Sequence, residues 1–248
     1  HEESLRAICM VENNVEYFER PGLSNTEKVV KLCRQRAAEL GIRFVVVASL
    51  TGDSAVKVAK AFKDLGVTIV SVRYLPGGAW IVKKEPYGAY EAIPELRKTR
   101  EEWVKKGLER VPIEYSKKNL EELAKLGVKI VGGTPTLWNV DRSLMAKYGG
   151  TSVQEIINET LRLVCPGFRV CEEVALMAAD NGGIPTTEEA IVRAGTERGL
   201  DTAIVLKPSV SLKMFDLYEG MEIREIICKP RTMLSSKGRF IGRYKLLG

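Results

Sequence analysis

With 248 residues, 45% of them apolar, the chain can fill one large domain or two small ones, and it lacks the run of about 18 apolar residues that a membrane-spanning helix needs. Its net charge of +6 is local: residues 229–248 carry six basic and no acidic side chains, which leaves residues 1–228 with 32 of each sign. A basic body built for nucleic acid is thereby excluded, and contact with a polyanion is left to a short tail (Lys229, Arg231, Lys237, Arg239, Arg243, Lys245). The opening HEESLRAI has no apolar core of a signal peptide. The five cysteines (Cys9, Cys33, Cys165, Cys171, Cys228) form no CxxC pair, so a cytoplasmic protein with reduced core thiols is expected, without zinc or disulfides. His1 is the only histidine, which sets histidine catalysis and histidine–metal chemistry aside. Two glutamines against abundant Lys and Glu fit a thermophile.

The first helix is expected after Ser24, which with Glu27 makes a capping-box pattern, and its face is Val29, Cys33, Ala37 and Leu40. Next comes FVVVASLTGDSAVKVAKAF, residues 44–62. A β-branched strand runs into a polar loop, and a helix then places Val58, Phe62 and Leu65 on one face. Such a junction is an anion site, because the first amides of a helix lack intrahelical partners and lie at the positive end of its dipole. Helices ending in Leu-Gly are followed at once by β-branched strands three times, at AAELGIRFVVV, AFKDLGVTIVSV and LAKLGVKIV. That repeat predicts a parallel sheet with helices on both faces.

Residues 73–113 break the pattern with LPGGAW, EPYGAY and a charged helix. They read as an insertion, either a lid over a ligand or a subunit contact, with Trp80, Tyr87, Tyr90 and Trp103 serving either role. TSVQEIINETLRLV opens on a Thr151 or Ser152 cap, and GFRVCEEVALMAADNGG follows at helical spacing. Glu172, Glu173 and Asp180 are read there as a solvated face and helix end rather than as acid–base groups. Residues 190–194 and 202–206 are strands joined by GTERGLD, too short for a crossover helix, so the second is expected to be antiparallel. IREIICKP is expected at an edge because Pro230 stops it. The expected fold is therefore a single three-layer α/β/α domain with a mostly parallel sheet. Its parallel strands are 44–48, 67–72, 128–131 and 190–194, and one antiparallel strand lies near the end.

NTEKVVKLCRQRAAELGIRFVVVASLTGDSAVKVAKAF, EVALMAADNGGI, AGTERGLDTAIVLKP and EIICKPR resemble a small, mainly archaeal family of uncharacterised proteins with the fold of the pyruvate kinase C-terminal domain. The resemblance covers residues 15–231 and departs at the insertion and the tail. It implies an effector-type loop at Ser49, Thr51, Gly52, Asp53 and Ser54, with a second at Gly195, Thr196, Arg198 and Gly199. Pyruvate kinase has a cation after the glycine; Asp53 stands there instead, which disfavours a sugar bisphosphate. The resemblance further implies binding of flavin mononucleotide, with its phosphate on residues 53–55 including Ala55. Asn25, Thr26, Thr134 and Thr136 are expected to converge on the same rim. A barrel of the kind that carries pyruvate kinase chemistry takes about 250 residues, so that activity is not expected. Three functional readings stand side by side. The first is a binding domain for a phosphorylated small molecule, with a homo-oligomer expected. The second is an enzyme acting on a small phosphorylated metabolite or using flavin for redox chemistry. The third is protein or nucleic-acid interaction through insertion and tail.

Overall fold

The structure is a computed structural model and describes residues 13–232; His1, Cys9 and residues 233–248 of the basic tail lie outside them. In chain order the elements are β1 Glu16–Phe18, α1 Thr26–Leu40, β2 Phe44–Ala48, α2 Asp53–Ala61, β3 Thr68–Arg73, β4 Ala79–Ile81, α3 Ala89–Ala92, α4 Pro94–Lys105 and β5 Arg110–Pro112. They continue as α5 Lys117–Lys125, β6 Lys129–Gly132, α6 Val140–Tyr148, α7 Val153–Arg162, α8 Pro166–Asp180, β7 Ala190–Ala194, β8 Thr202–Lys207 and β9 Glu222–Pro230.

Seven strands form one sheet in the order β1-β9-β8-β7-β2-β3-β6. β2, β3, β6 and β7 are mutually parallel, while β8 is antiparallel to both neighbours. The valine-rich strands supply both layers, because alternate side chains leave opposite faces. Val45, Val47, Ile191 and Val205 pack beneath α1, α2 and α5. Val46, Val70, Val192 and Leu206 pack beneath α8. Helix layers on both faces complete the α/β/α arrangement. Each Leu-Gly step works as the sequence implies: Gly41 closes α1 at φ 64° with a left-handed cap, and Ile42 donates back to the Ala37 carbonyl at 2.9 Å.

Three expectations need correction. Ser24 does not cap α1, since it falls in a 3-10 turn and the cap residue Asn25 makes no side-chain cap bond. Leu40 is exposed, so the buried face of α1 stops at Ala37. β9 is not an edge strand, because β1 pairs parallel to its C-terminal end. Pro230 is tolerated there because Arg231, not Pro230, donates to the Phe18 carbonyl at 2.8 Å.

The insertion has its own small core. β4 and β5 pair antiparallel, and Trp80, Tyr90, Ile93 and Leu96 bury against one another with Leu50 and Trp103 packed on them. Leu50 belongs to the β2–α2 connection, so the insertion is anchored beside the sheet rim where β2 ends.

Candidate functional site

Because β2, β3 and β7 run the same way, their connections to the next elements gather on one rim. A cleft of about 1950 Å³ opens there. Three walls enclose it: the β2–α2 and β7–β8 loops, the insertion's Trp80, Tyr87 and Tyr90, and the inner sides of α6, α7 and α8. The volume exceeds the ~300–1,000 Å³ of ordinary small-molecule sites, so a mononucleotide would fill part of it.

At the first loop, Ser49, Thr51, Asp53 and Ser54 line the cleft, whereas Gly52 and Ala55 do not. Gly52 has φ 88°, and a Cβ on it would sit 2.9 Å from Asn119 Cβ and 3.3 Å from Tyr115 Cδ2. Its role is thus packing against the start of α5, not admitting a ligand to the backbone. The Gly52 amide donates to Ser49 Oγ at 3.1 Å, and the Tyr115 hydroxyl is hydrogen-bonded to Ser71 Oγ at 2.6 Å. The Asp53 carboxylate is held on both oxygens: Thr51 Oγ1 donates to one at 2.6 Å and Asn119 Nδ2 to the other at 2.8 Å. The first helical bond of α2 runs from Val56 N to the Gly52 carbonyl at 3.0 Å. The amides of Asp53, Ser54 and Ala55 therefore have no intrahelical acceptor.

The second loop is built on Asp201, which is fully buried. Its Oδ2 accepts from the amides of Thr196 at 3.0 Å and Gly22 at 3.1 Å, and its Oδ1 accepts from Thr202 Oγ1 at 2.8 Å. Burial pushes its carboxyl above the ordinary range, against the pull of those donors. Thr196 is buried, and its side chain as well as its amide helps hold the Asp201 carboxylate. Glu197 adopts φ 64°, a left-handed conformation rare outside glycine. The Arg198 guanidinium lies 5.8 Å from the Trp80 ring centre, joining this loop to the insertion across the cleft.

The remaining sequence-predicted residues do not join the site. Thr26 is a buried strut whose Oγ1 donates to the Leu23 carbonyl at 2.7 Å and accepts from Leu200 N at 3.0 Å. Asn25 Nδ2 is spent on the Arg20 carbonyl at 2.8 Å. After the edge strand β6, Thr134 is exposed and the Thr136 carbonyl accepts from Asn139 Nδ2 at 3.0 Å; Pro135 and Trp138 face the cleft instead.

The third wall was missed by sequence reasoning. Arg142, Glu155, Glu159, Arg162, Arg169 and Glu173 all line the cleft. Arg142 lies 4.0 Å over the Trp138 ring and Arg162 pairs with Glu159 at 3.2 Å. Arg169 is hydrogen-bonded to Glu173, one turn later on α8. Burial and the neighbouring Arg169 hold the Arg162 guanidinium below its usual range. Glu172 and Glu173 are consequently not a solvated face: both are buried, Glu172 pushed up to about 7 by burial alone and Glu173 raised by burial against the Arg169 charge. The cause is α7, which packs over α8. The i, i+4 Arg169–Glu173 spacing was the available signal.

The cleft lining contains neither histidine nor cysteine. Among the described residues, no group of three or more His, Cys, Asp or Glu is placed to hold a metal ion, and no helix is long and apolar enough to cross a membrane. No protein-family model matches the chain.

Proposed function

We propose that this cleft binds a phosphorylated small molecule carrying an aromatic ring, with flavin mononucleotide the reading the residues fit best. The observation that carries it is the convergence of the 49–54 and 195–199 loops with Trp80, Tyr87 and Tyr90 on one cleft. The unpartnered amides opening α2 and the Ser54 hydroxyl suit a phosphate, Thr196 on the lining suits a polyol or phosphate oxygen, and the aromatic wall suits a flat ring. Lys118 and Arg198 on the lining favour an anion, which offsets the nearby Asp53 charge. Bound flavin would supply redox chemistry at its ring. This chain's own residues would bind and orient it and screen it from water.

The test is titration of the purified protein with flavin mononucleotide and with riboflavin, which lacks the phosphate. Charge-assisted bonds contribute roughly 1.5–3 kcal/mol each, so the phosphate should improve affinity at least about tenfold. Ser54→Ala should weaken flavin mononucleotide and leave riboflavin unchanged. Thr196→Ala should cost less, because a neutral hydroxyl contributes less. Equal affinity for both ligands would remove the phosphate from α2, and no binding of either would remove the flavin.

A further inference from the structure

On the reading of the cleft as a site for a phosphorylated ring compound, we infer that Tyr90 recognises the ring itself, donating its hydroxyl hydrogen to a carbonyl on the ring's edge, with the Arg198 guanidinium beside it as a second donor. Tyr90 lines the cleft and is only 2% exposed, and its hydroxyl has no hydrogen-bond partner among the described residues. A buried tyrosine hydroxyl ordinarily finds one. Neighbouring Tyr87 does, donating to the Ile81 carbonyl at 3.0 Å. Packing fixes where the Tyr90 hydroxyl points, because its ring is held against Tyr87 at 5.5 Å and Trp103 at 5.8 Å, centre to centre. The group that completes it must therefore come to it.

The surroundings say what kind of group that is. Burial above all, and then the nearby Glu197 charge, hold the Tyr90 hydroxyl above its ordinary range, so it stays protonated and able to donate. Arg198 is near enough to pull that hydroxyl the other way. Its guanidinium makes no hydrogen bond or ion pair to the described residues and lies 5.8 Å from the Trp80 ring centre. Glu197, also on the lining, can accept, since a carboxylate has lone pairs for several donors. One end of the aromatic wall thus offers two donors and one acceptor. The edge of a pyrimidinedione alternates carbonyl, N–H and carbonyl, which is the complementary set. A flavin ring carries that edge, and so does a uracil base.

The test is titration of wild type, Tyr90→Phe and Arg198→Met with flavin mononucleotide, riboflavin, lumiflavin and uridine monophosphate. Lumiflavin keeps the ring without the ribityl chain or phosphate, and uridine monophosphate carries the same edge on a single ring. Tyr90→Phe should weaken every ligand that binds the wild type by one common factor, at least about fivefold. Arg198→Met should cost at least about tenfold, because a bond from a charged donor contributes more. Without ligand, Tyr90→Phe should melt no lower than the wild type, since the hydroxyl it loses has no partner in the fold. A lower melting temperature would make that hydroxyl structural and overturn the inference. So would unchanged affinity in Tyr90→Phe, or a loss confined to flavin mononucleotide, which would put these groups on the phosphate. Flavin mononucleotide and riboflavin binding alike, both weakened by Tyr90→Phe, keeps the ring contact and removes the phosphate from α2. Uridine monophosphate binding with that loss while no flavin binds keeps the contact and removes the flavin. Binding of none of the four overturns both readings.

Discussion

Asp201 gathers three donors from three parts of the chain, and removing it separates the value of its acceptor oxygens from the value of its charge. In Asp201→Ala the amides of Gly22 and Thr196 lose their acceptor, and an unsatisfied buried donor costs about 1–3 kcal/mol. Thr202 loses less, since its hydroxyl also reaches Cys165 Sγ at 3.4 Å. The expected loss in unfolding free energy is about 4 kcal/mol. Asp201→Asn should behave differently. Its amide oxygen can still receive both backbone amides while its NH2 turns toward the Thr202 hydroxyl, which can accept. The weaker neutral bonds are offset by relief from burying a charge, so the change should stay within about 1 kcal/mol. The pH dependence carries the sign. Because the folded pKa of Asp201 is raised, the native state binds more protons than the unfolded chain between the unfolded value near 3.9 and the folded value. The wild type therefore loses this contribution as pH rises through that window, and Asp201→Asn does not. Urea unfolding of the three proteins from pH 4 to 8 measures both effects. A loss under 1 kcal/mol for the alanine variant, or equal losses for the two variants, would refute the reasoning.

Gly199→Ala should cost more than about 3 kcal/mol and lower ligand affinity, since φ is 78° and the new Cβ would lie 2.6 Å from the Leu23 backbone. Gly41→Ala, at φ 64° with nothing within 4 Å, should cost only about 1 kcal/mol; equal losses in thermal unfolding would exclude the collision as the cause. Glu172, with its pKa near 7 in the fold, weakens the native state as pH climbs from about 4.5 through 7, so Glu172→Gln should stabilise by on the order of 1–3 kcal/mol at pH 8 and change little at pH 4. A flat difference across that range, followed by urea midpoints, counts against the burial of its charge. The purified chain should transfer no phosphate from phosphoenolpyruvate to ADP; turnover that co-purifies with it and is lost in Ser54→Ala would overturn this.

What was legible in the sequence was local. The Val45–Val47 run, the repeated Leu-Gly step and the short GTERGLD connection encode strand burial, helix ends and the antiparallel turn within a few residues of each feature, and the sheet has them all. What was not legible lies in contacts distant along the chain. β1 is three residues long and pairs with β9 some two hundred residues later. Gly52 looks like a phosphate-loop glycine until Asn119, from a later helix, occupies the space its missing side chain leaves. The Ser24–Glu27 pattern has the spacing of a capping box, yet Ser24 falls in a 3-10 turn ahead of the cap position, and Thr26, the first residue of α1, is tied to Leu200 on the distant loop. Glu172 and Glu173 look solvated because nothing within α8 says that α7 will cover them.

These distant contacts divide the cleft into two kinds of wall. On the sheet rim, Thr26, Ser49, Ser71 and Asp201 are buried and hydrogen-bonded to partners from other elements, so the 49–54 and 195–199 loops are held in place before any ligand arrives. The opposite wall carries buried groups still short of partners, among them Asn158 Oδ1 and Arg169 Nε. Its α6 is anchored by no buried residue. A satisfied network is stiff, and an unsatisfied one gains when water, a ligand or a repacked neighbour completes it. Ligand affinity should therefore be set by the rim, while adjustment to ligand shape is left to α6 and α7.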